Sequence, residues 1–256
     1  MKLSVCSQAV CAGMDYARAI RELAGNGYRD IEFWSWWDKD LSVLESLREE
    51  YGLHYVAFCT KFVSLVDPDK RSEYKAGLVE SIAAAKRLGC GMLISQVGDE
   101  LPDVPRAAQH GSLVEGLKEV APILEESGVT LAIEPLNTRV NHKGYYLWDA
   151  DEAFEIVGEV DSNGVKVLFD IYHQQIMQGD LLRRISANIG KIGHFHAAGN
   201  PGRHEPFAGE INYAEIARAV DALGYAGFAG LEYFPEHDIF DGLSKCREIF
   251  ERDTRV

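Results

Sequence analysis

The apolar positions of the chain follow two patterns that alternate along its length. Short apolar runs, typical of buried strands, are separated by longer stretches in which apolar residues recur at the spacing of an amphipathic helix. The runs predict eight strands, at residues 3–7, 30–34, 54–59, 92–97, 130–136, 165–171, 192–197 and 228–233.

The intervening stretches predict eight helices, at residues 16–24, 41–51, 71–88, 113–127, 151–160, 181–189, 213–223 and 241–252. Several of them close on a glycine, as at Gly89, Gly128 and Gly224. A left-handed residue commonly ends a helix, and glycine adopts that conformation most easily.

Eight strands alternating with eight helices predict a single-domain (β/α)8 TIM barrel of the α/β class over residues 1–256. No linker and no shift in composition divides the chain. A doubly wound sheet is the competing architecture, but it usually carries a glycine-rich turn after its first strand. Residues 8–13 contain no GxGxxG and the sequence contains no GxxxxGK[ST], so no motif supports a nucleotide-dependent reaction.

The charge and composition narrow the classes of partner. The chain has 26 Lys plus Arg against 40 Asp plus Glu, a formal charge of −14, and it has no basic run. Because nucleic-acid binding needs clustered basic residues, we expect no nucleic-acid partner. No apolar run approaches the roughly 20 residues of a membrane span, so no membrane partner is expected either. Without a recognisable export signal or a CxxC pair, a cytoplasmic protein with reduced thiols is expected.

Four consecutive predicted strands end on an ionisable side chain. Glu134, Asp170, His196 and Glu232 follow the apolar runs of strands five, six, seven and eight. In TIM-barrel enzymes the C-terminal ends of the strands and the loops after them build the active site. Adjacent strands should therefore bring these four side chains together.

Three carboxylates and an imidazole in one buried pocket could not all remain ionised without a partner, because like charges at close range raise each other's pKa. A bound cation would remove this conflict. Such a donor set suits Mn²⁺ or Mg²⁺, with Co²⁺ and Zn²⁺ less favoured. The alternative is that each carboxylate caps the next helix or pairs with an arginine. That explanation is reasonable for any one of them and poor for all four together.

Three neighbouring residues are candidates for substrate contact. His173 lies just beyond Asp170, Arg203 lies in the polar loop after strand seven, and Glu32 ends strand two. The planar guanidinium of arginine fits a carboxylate or a hydroxyl, although a loop arginine can equally remain in solvent.

Other residues near the strand ends could have either a structural or a functional role. His194 shares a strand face with His196 and is expected to be hydrogen-bonded in the core rather than to bind metal. Cys59 could be a nucleophile, but a buried thiol is favoured. Three tryptophans could form an apolar wall over a small substrate, or pack against helices or a partner subunit in a dimer or tetramer. They are Trp34, Trp36 and Trp37.

Between residues 130 and 235 the chain carries six short motifs in order: AIEPLN (132–137), FDIYH (169–173), GHFH (193–196), NPGRHEP (200–206), GEINY (209–213) and GLEY (230–233). Together they resemble the hydroxypyruvate isomerase family, within the wider group of xylose isomerase-like barrels. The resemblance implies a metal held by Glu134, Asp170, His196 and Glu232, with the two glutamates also moving the proton. It further implies that His173 and Arg203 hold substrate oxygens.

The chain departs from that pattern at two places. Hydroxypyruvate isomerases can carry glutamine where this chain has His196, which makes this ligand resemble that of sugar epimerases. Their third strand tends to end in His-Asn, whereas this chain reads AFCTK at residues 57–61. The part of the pocket that selects the substrate is therefore expected to differ.

The resemblance implies an isomerase that interconverts a small hydroxy-aldehyde and hydroxy-ketone through an enediolate. The most direct substrates are hydroxypyruvate and tartronate semialdehyde. A ketose 3-epimerase and a keto-sugar or inosose dehydratase are the alternatives on the same fold. An abasic-site endonuclease would need more metal ligands and a basic groove, and a non-catalytic sugar-binding module would not need the four ligands.

Overall fold

The computed structural model describes residues 1–250. Eight parallel strands close into a barrel in chain order, which confirms the predicted (β/α)8 fold. The strands are β1 (Lys2–Cys6), β2 (Asp30–Phe33), β3 (His54–Cys59), β4 (Met92–Ser95), β5 (Thr130–Ile133), β6 (Val165–Asp170), β7 (Ile192–Ala197) and β8 (Phe228–Leu231).

The helices surround the barrel. Within residues 1–250 they are α1 (Ser7–Val10), α2 (Tyr16–Gly25), α3 (Leu41–Tyr51), α4 (Arg71–Leu88), α5 (Arg106–Ser127), α6 (Ala150–Val160), α7 (Ile171–Met177), α8 (Leu181–Asn188), α9 (Tyr213–Ala222) and α10 (Ile239–Phe250). Short 3₁₀ turns occupy Pro68–Lys70 and Ile189–Lys191. No helix of the described part is long and apolar enough to cross a membrane.

The helices differ from the sequence prediction at three points. The short helices α1 and α7 were not predicted, because so few residues do not display a helical period. Helix α5 begins at Arg106 rather than residue 113, since its first turns contain few apolar side chains. Residues 251–252, at the end of the last predicted helix, lie outside the described residues.

Strands β5 and β8 are shorter than predicted. They end at Ile133 and Leu231, whereas the apolar runs continue to residues 136 and 233. Pro135 follows β5 closely and has no N–H to donate to a neighbouring strand. Glu134 and Glu232 therefore lie just past the strand ends, although their N–H groups still donate to Ser95 and Ala197, at N···O distances of 3.3 and 3.1 Å.

Alternation along each strand decides which side chains enter the barrel. A small apolar cluster fills the interior, while a larger core packs between the strands and the helices. The interior cluster consists of Val56, Ala57, Cys59, Ile94, Ala132 and Leu168. The residues two positions beyond Ala132 and Leu168 are Glu134 and Asp170, so the strand period directs both carboxylates inward above the apolar floor.

Candidate active site

A cavity of about 290 Å³ lies at the C-terminal ends of the strands. Glu134, His196 and Glu232 line it from the barrel, and Arg203 lines it from the loop after β7. Its wall also includes Gln8, Trp34, Cys59, Gln96, Leu136 and His142. The cavity therefore lies where the sequence predicted the chemistry.

The three predicted carboxylate ligands come together at the base of this cavity. Glu134, Asp170 and Glu232 are buried, and with His173 each offers one ligand atom within 4.8 Å of the others. His196 contacts the same group from the side. Its Nδ1 lies 3.5 Å from Oε1 of Glu134 and 3.4 Å from Oε2 of Glu232.

Asp170 and His173 are positioned by the turn from β6 into α7. The Asp170 carboxylate accepts a hydrogen bond from the backbone N–H of His173, at 2.9 Å, and so caps the helix that carries this histidine. This short helix holds the His173 ring beside Asp170, with Nε2 3.4 Å from Oδ2. The capping role proposed as an alternative for strand-end carboxylates thus coexists here with membership of the acidic cluster.

The two imidazoles present different nitrogens to the cluster. Nδ1 of His173 accepts from the backbone and side-chain amides of Asn137, at 3.2 and 2.6 Å, so its Nε2 carries the hydrogen. The orientation of the Asn137 amide is fixed because its oxygen accepts from the N–H groups of Val140 and Asn141. Burial, and then the nearby Arg203 charge, hold the pKa of His173 well below its usual range. His173 is therefore a neutral donor.

Glu32 and His194 lie beneath the cavity rather than on its wall. Oε1 of Glu32 lies 2.9 Å from Nε2 of His194, and Oε2 lies 3.0 Å from Nε2 of His196. Ser4 donates its hydroxyl to the same carboxylate. Burial opposes the ionisation of Glu32, but the two imidazoles outweigh it and hold its pKa well below the usual value. The structure thus brings Glu32 to His196 and not to the cavity surface where the sequence analysis expected substrate contact.

The two glutamates of the cluster differ in their partners. Burial raises the pKa of Glu134 to about 7, against the opposing effect of His196. Burial also acts on Glu232, but the Arg203 and His196 charges prevail and hold its pKa well below the usual range. Glu232 additionally accepts hydrogen bonds from Trp34 and Arg203. The pKa is therefore raised in Glu134 and lowered in Glu232, although the two side chains are chemically identical.

Arg203 reaches the cavity because its loop is tightly folded. Gly209 has φ +98°, and a Cβ there would lie 2.2 Å from the backbone oxygen of Asn200, so only glycine fits. Arg203 itself has φ 60° and its guanidinium lies over the Tyr172 ring at 5.6 Å. The buried Glu205 carboxylate ties this loop to the one after β8 by accepting from the N–H of His237 at 3.1 Å.

Several buried polar atoms of the cluster have no hydrogen-bond partner. They are Oε1 of Glu134, Nε2 of His173 and Nδ1 of His196. Buried polar atoms in folded proteins are nearly always satisfied, and these three converge beside Asp170 and Glu232. Carboxylate oxygens with one imidazole nitrogen form a donor set that a divalent cation prefers, so the residues present fit such an ion.

The tryptophans divide between the two roles considered from the sequence. Trp34 lines the cavity, whereas Trp36 packs toward α4 and donates its ring N–H to Ser81 at 3.1 Å. Trp37 is 37% exposed and meets Phe62 edge to face at a centroid distance of 5.0 Å. Burial raises the pKa of the Cys59 thiol well above its usual value, which agrees with the buried-thiol interpretation.

The sequence analysis did not single out Asn137, Gln96 or His142. Asn137 was visible in the motif after β5, but nothing in the sequence linked it to His173. His142 lies in the loop between β5 and α6, with its ring 5.2 Å from that of His173. Loop residues of this kind join a site only through tertiary contacts, so spacing alone gives no signal.

Comparison with known proteins agrees with this fold. A sequence model of the xylose isomerase-like TIM barrel family matches residues 20–249. Hydroxypyruvate isomerase of Escherichia coli (strain K12) is 30% identical over 238 residues, which cover 90% of this chain and 92% of the relative. The 2-oxo-tetronate isomerase of Cupriavidus necator is 34% identical over 185 residues, covering 72% and 71%.

The solved structures show the same architecture. A Brucella melitensis protein described as an AP endonuclease of family 2 superimposes with a TM-score of 0.90 at 28% identity, covering 96% of this chain and 98% of that chain. The resemblance inferred from the six sequence motifs is thereby confirmed. The chain belongs to the xylose isomerase-like TIM barrel family.

Proposed function

We propose that this protein is a metal-dependent isomerase of the aldose–ketose type that acts on a short hydroxy-oxo acid, most directly interconverting hydroxypyruvate and tartronate semialdehyde. One observation carries the proposal: three buried carboxylates lie together at the base of a cavity of about 290 Å³, and the unpartnered Nδ1 of His196 lies 3.5 Å from Glu134 and 3.4 Å from Glu232. The relatives named as hydroxypyruvate and 2-oxo-tetronate isomerases, similar over most of this chain, support the same chemistry.

The proposed ligands of the cation are Glu134, Asp170, His196 and Glu232. When bound, a divalent ion such as Mn²⁺ or Mg²⁺ would polarise the substrate carbonyl and stabilise the negative charge of the enediolate. His173 is assigned to the substrate rather than to the ion, because its Nε2 carries a hydrogen and lacks a free lone pair. It would donate to a substrate oxygen.

The two glutamates are the proposed proton carriers. Glu232 is paired with Arg203, which keeps its carboxylate ionised, and so is suited to remove the proton from the carbon next to the carbonyl. Glu134, on the neighbouring side of the cluster, is the proposed group that returns a proton to the adjacent carbon. Reversing the reaction exchanges the two roles.

Arg203 is the proposed contact for the substrate carboxylate. Its guanidinium lines the cavity, and its Nε is buried without a partner while Nη2 is paired with Glu232. A guanidinium binds a carboxylate through two parallel hydrogen bonds. The carboxylate of a hydroxy-oxo acid would therefore form a charged hydrogen bond with Arg203. A neutral sugar has no carboxylate and would not form this contact.

A ketose 3-epimerase is the second candidate. It begins with the same proton removal, and a second cavity of about 240 Å³ adjoins the first and shares Phe62, Gln96, Leu136 and His142 with it. That space would admit a longer polyhydroxy chain. The formal charge of −14 disfavours nucleic acid as substrate.

The test is a substrate panel with the metal-loaded enzyme in D₂O. Hydroxypyruvate, tartronate semialdehyde, tetronates and free ketoses would be compared by product formation and by incorporation of deuterium at carbon. We expect deuterium incorporation and turnover with hydroxypyruvate, because the enediolate passes its proton through a glutamate. Turnover of a ketose and of no other compound would favour the epimerase. If every compound that binds fails to incorporate deuterium, both the isomerase and the epimerase are contradicted.

A further inference from the structure

The carboxylate of Glu32 is shared by two buried histidines below the proposed metal ligands. All three side chains are almost completely buried. One oxygen lies 2.9 Å from Nε2 of His194 and the other 3.0 Å from Nε2 of His196. Ser4 donates its hydroxyl to the oxygen that faces His194, so both oxygens of Glu32 are engaged.

This contact determines how the His196 ring presents itself. A carboxylate can only accept hydrogen bonds, so the Nε2 that faces Glu32 must carry its hydrogen. The remaining nitrogen, Nδ1, is directed at Glu134 and Glu232 and has no hydrogen-bond partner. Only the Nδ1 lone pair can therefore face a bound cation.

The barrel wall is shaped around this pair. Gly230 of β8 lies against it, and a Cβ there would be 2.6 Å from Oε2 of Glu32 and 2.7 Å from Cδ2 of His196. The φ of Gly230 lies outside the left-handed region, so backbone freedom does not explain the glycine. The explanation is space: the Glu32–His196 contact leaves no room for a side chain on the neighbouring strand.

We propose that Glu32 is a positioning residue for the metal centre: it fixes the His196 ring with Nδ1 toward the cation, and Ser4 holds Glu32 in place through its hydroxyl hydrogen bond. The proposal rests on the proposed metal dependence. It assigns Glu32 a role below the cavity, in place of the substrate contact expected from its position at a strand end. Asn137 does the opposite for His173, whose Nδ1 accepts hydrogen bonds and whose Nε2 therefore carries the hydrogen. One ring thus presents a lone pair to the cluster and the other an N–H group.

The test is the affinity of the metal-stripped protein for Mn²⁺, measured by electron paramagnetic resonance on wild type and Glu32→Gln. A glutamine at this position presents an NH₂ group as well as an oxygen, so it no longer fixes which nitrogen of the His196 ring carries the hydrogen. We expect Mn²⁺ binding to weaken about 10–100-fold, the loss typical of removing the partner of a ligating histidine. The matched control is Glu152→Gln, which removes a carboxylate 3.1 Å from Nδ1 of His110 on the outer helices, and should bind Mn²⁺ as wild type does.

Thermal unfolding of the same variants separates positioning from a merely structural role. A structural role would lower the unfolding midpoint of Glu32→Gln and leave its Mn²⁺ affinity unchanged, which would overturn the proposal. Two Mn²⁺ ions per wild-type chain, with one lost in the variant, would also overturn it, because Glu32 would then be a ligand itself. If Glu32→Gln does not fold, Gly230→Ala crowds the same contact, and wild-type affinity in that variant would count against the proposal.

The wild-type result distinguishes this inference from the proposed function. One Mn²⁺ per wild-type chain with chelator-sensitive turnover supports the metal dependence, and equal affinity in Glu32→Gln then defeats the positioning role alone. Absence of Mn²⁺ binding in the wild type would defeat both.

Discussion

Glu134 and Glu232 show how far the surroundings of one residue type can separate its chemistry. Both are buried at the same end of the barrel and both contact His196. Arg203 is paired with Glu232 and not with Glu134, and this single ion pair accounts for much of the difference in proton affinity. Pairs of acids driven apart in this way are typical of active sites that both remove and return a proton.

At this scale we predict that Glu134→Gln and Glu232→Gln each reduce turnover by about 10²–10⁴-fold, because an amide cannot carry the proton. The measurement is kcat on the best substrate of the panel, together with circular dichroism to establish that each variant is folded. Glu152→Gln serves as the control with normal turnover. A folded variant with full activity would remove that glutamate from the proton path.

At the scale of elements, the loop between β7 and α9 requires a glycine at residue 209. Gly209 has a positive φ and approaches the backbone of Asn200, so its replacement suffers both strain and a clash. Gly111 in α5 has neither restriction, since nothing lies within 4 Å of a Cβ built there. The two glycines make a matched pair.

We predict that Gly209→Ala lowers the free energy of unfolding by about 1–3 kcal/mol and weakens substrate binding, because Arg203 lies in the same loop. Gly111→Ala should raise it by about 0.5–1 kcal/mol, the usual advantage of alanine inside a helix. Denaturant unfolding of both variants gives the comparison. Equal effects of the two substitutions would show that the loop is not constrained as described.

Helices α5 and α6 are joined by a histidine between two carboxylates. Nδ1 of His110 lies 3.1 Å from Glu152 and Nε2 lies 2.9 Å from Glu159. Burial opposes protonation, but the two hydrogen-bonded carboxylates outweigh it and raise the pKa of His110 above 6.5. A raised histidine pKa adds stability that is fully present below about pH 6.5 and is lost as the pH rises through the folded-state pKa.

His110→Gln should therefore lower the unfolding midpoint more at about pH 6 than at higher pH, because the wild-type imidazole loses its charge as the pH rises. Thermal unfolding of the two proteins across this range tests the sign. A difference that does not change with pH would mean that the charge of His110 contributes nothing to the contact between α5 and α6.

At the scale of the whole molecule, the acidic surplus of 14 charges has two parts. One part consists of carboxylates at the surface, several of which are paired with lysine or arginine. The second part is Glu134, Asp170 and Glu232, which are buried together at the base of the cavity. Only this second part creates a demand for a cation.

We predict that Mn²⁺ or Mg²⁺ stabilises the whole fold as well as restoring activity after chelation. A ligand at 100 times its Kd adds about 2.7 kcal/mol to the free energy of unfolding. For a chain of this size that raises the midpoint by about 5–10 °C. Thermal unfolding of the stripped protein with and without the ion measures the shift, and an unchanged midpoint with unchanged turnover in chelator would contradict the metal site.

Much of this architecture was predictable from local pattern. The period of the apolar residues predicted every strand to within a few positions, and strand alternation with polar ends predicted that Glu134, Asp170, His196 and Glu232 would converge. The short helix α7 and the early end of β5 were not predictable in this way. A seven-residue helix shows no clear period, and the end of β5 depends on where Pro135 meets the neighbouring strand.

The sequence by itself determined the barrel and the inward direction of the strand-end carboxylates, because both follow from the two-residue period of a strand. Only the tertiary structure decided that Glu32 lies under His196, that Asn137 turns the ring of His173, and that Arg203 separates the two glutamates. These contacts join residues on different strands and loops. Their partners are fixed by barrel closure and by register shifts such as the one between Ile31 and Glu32, which no spacing along the chain records.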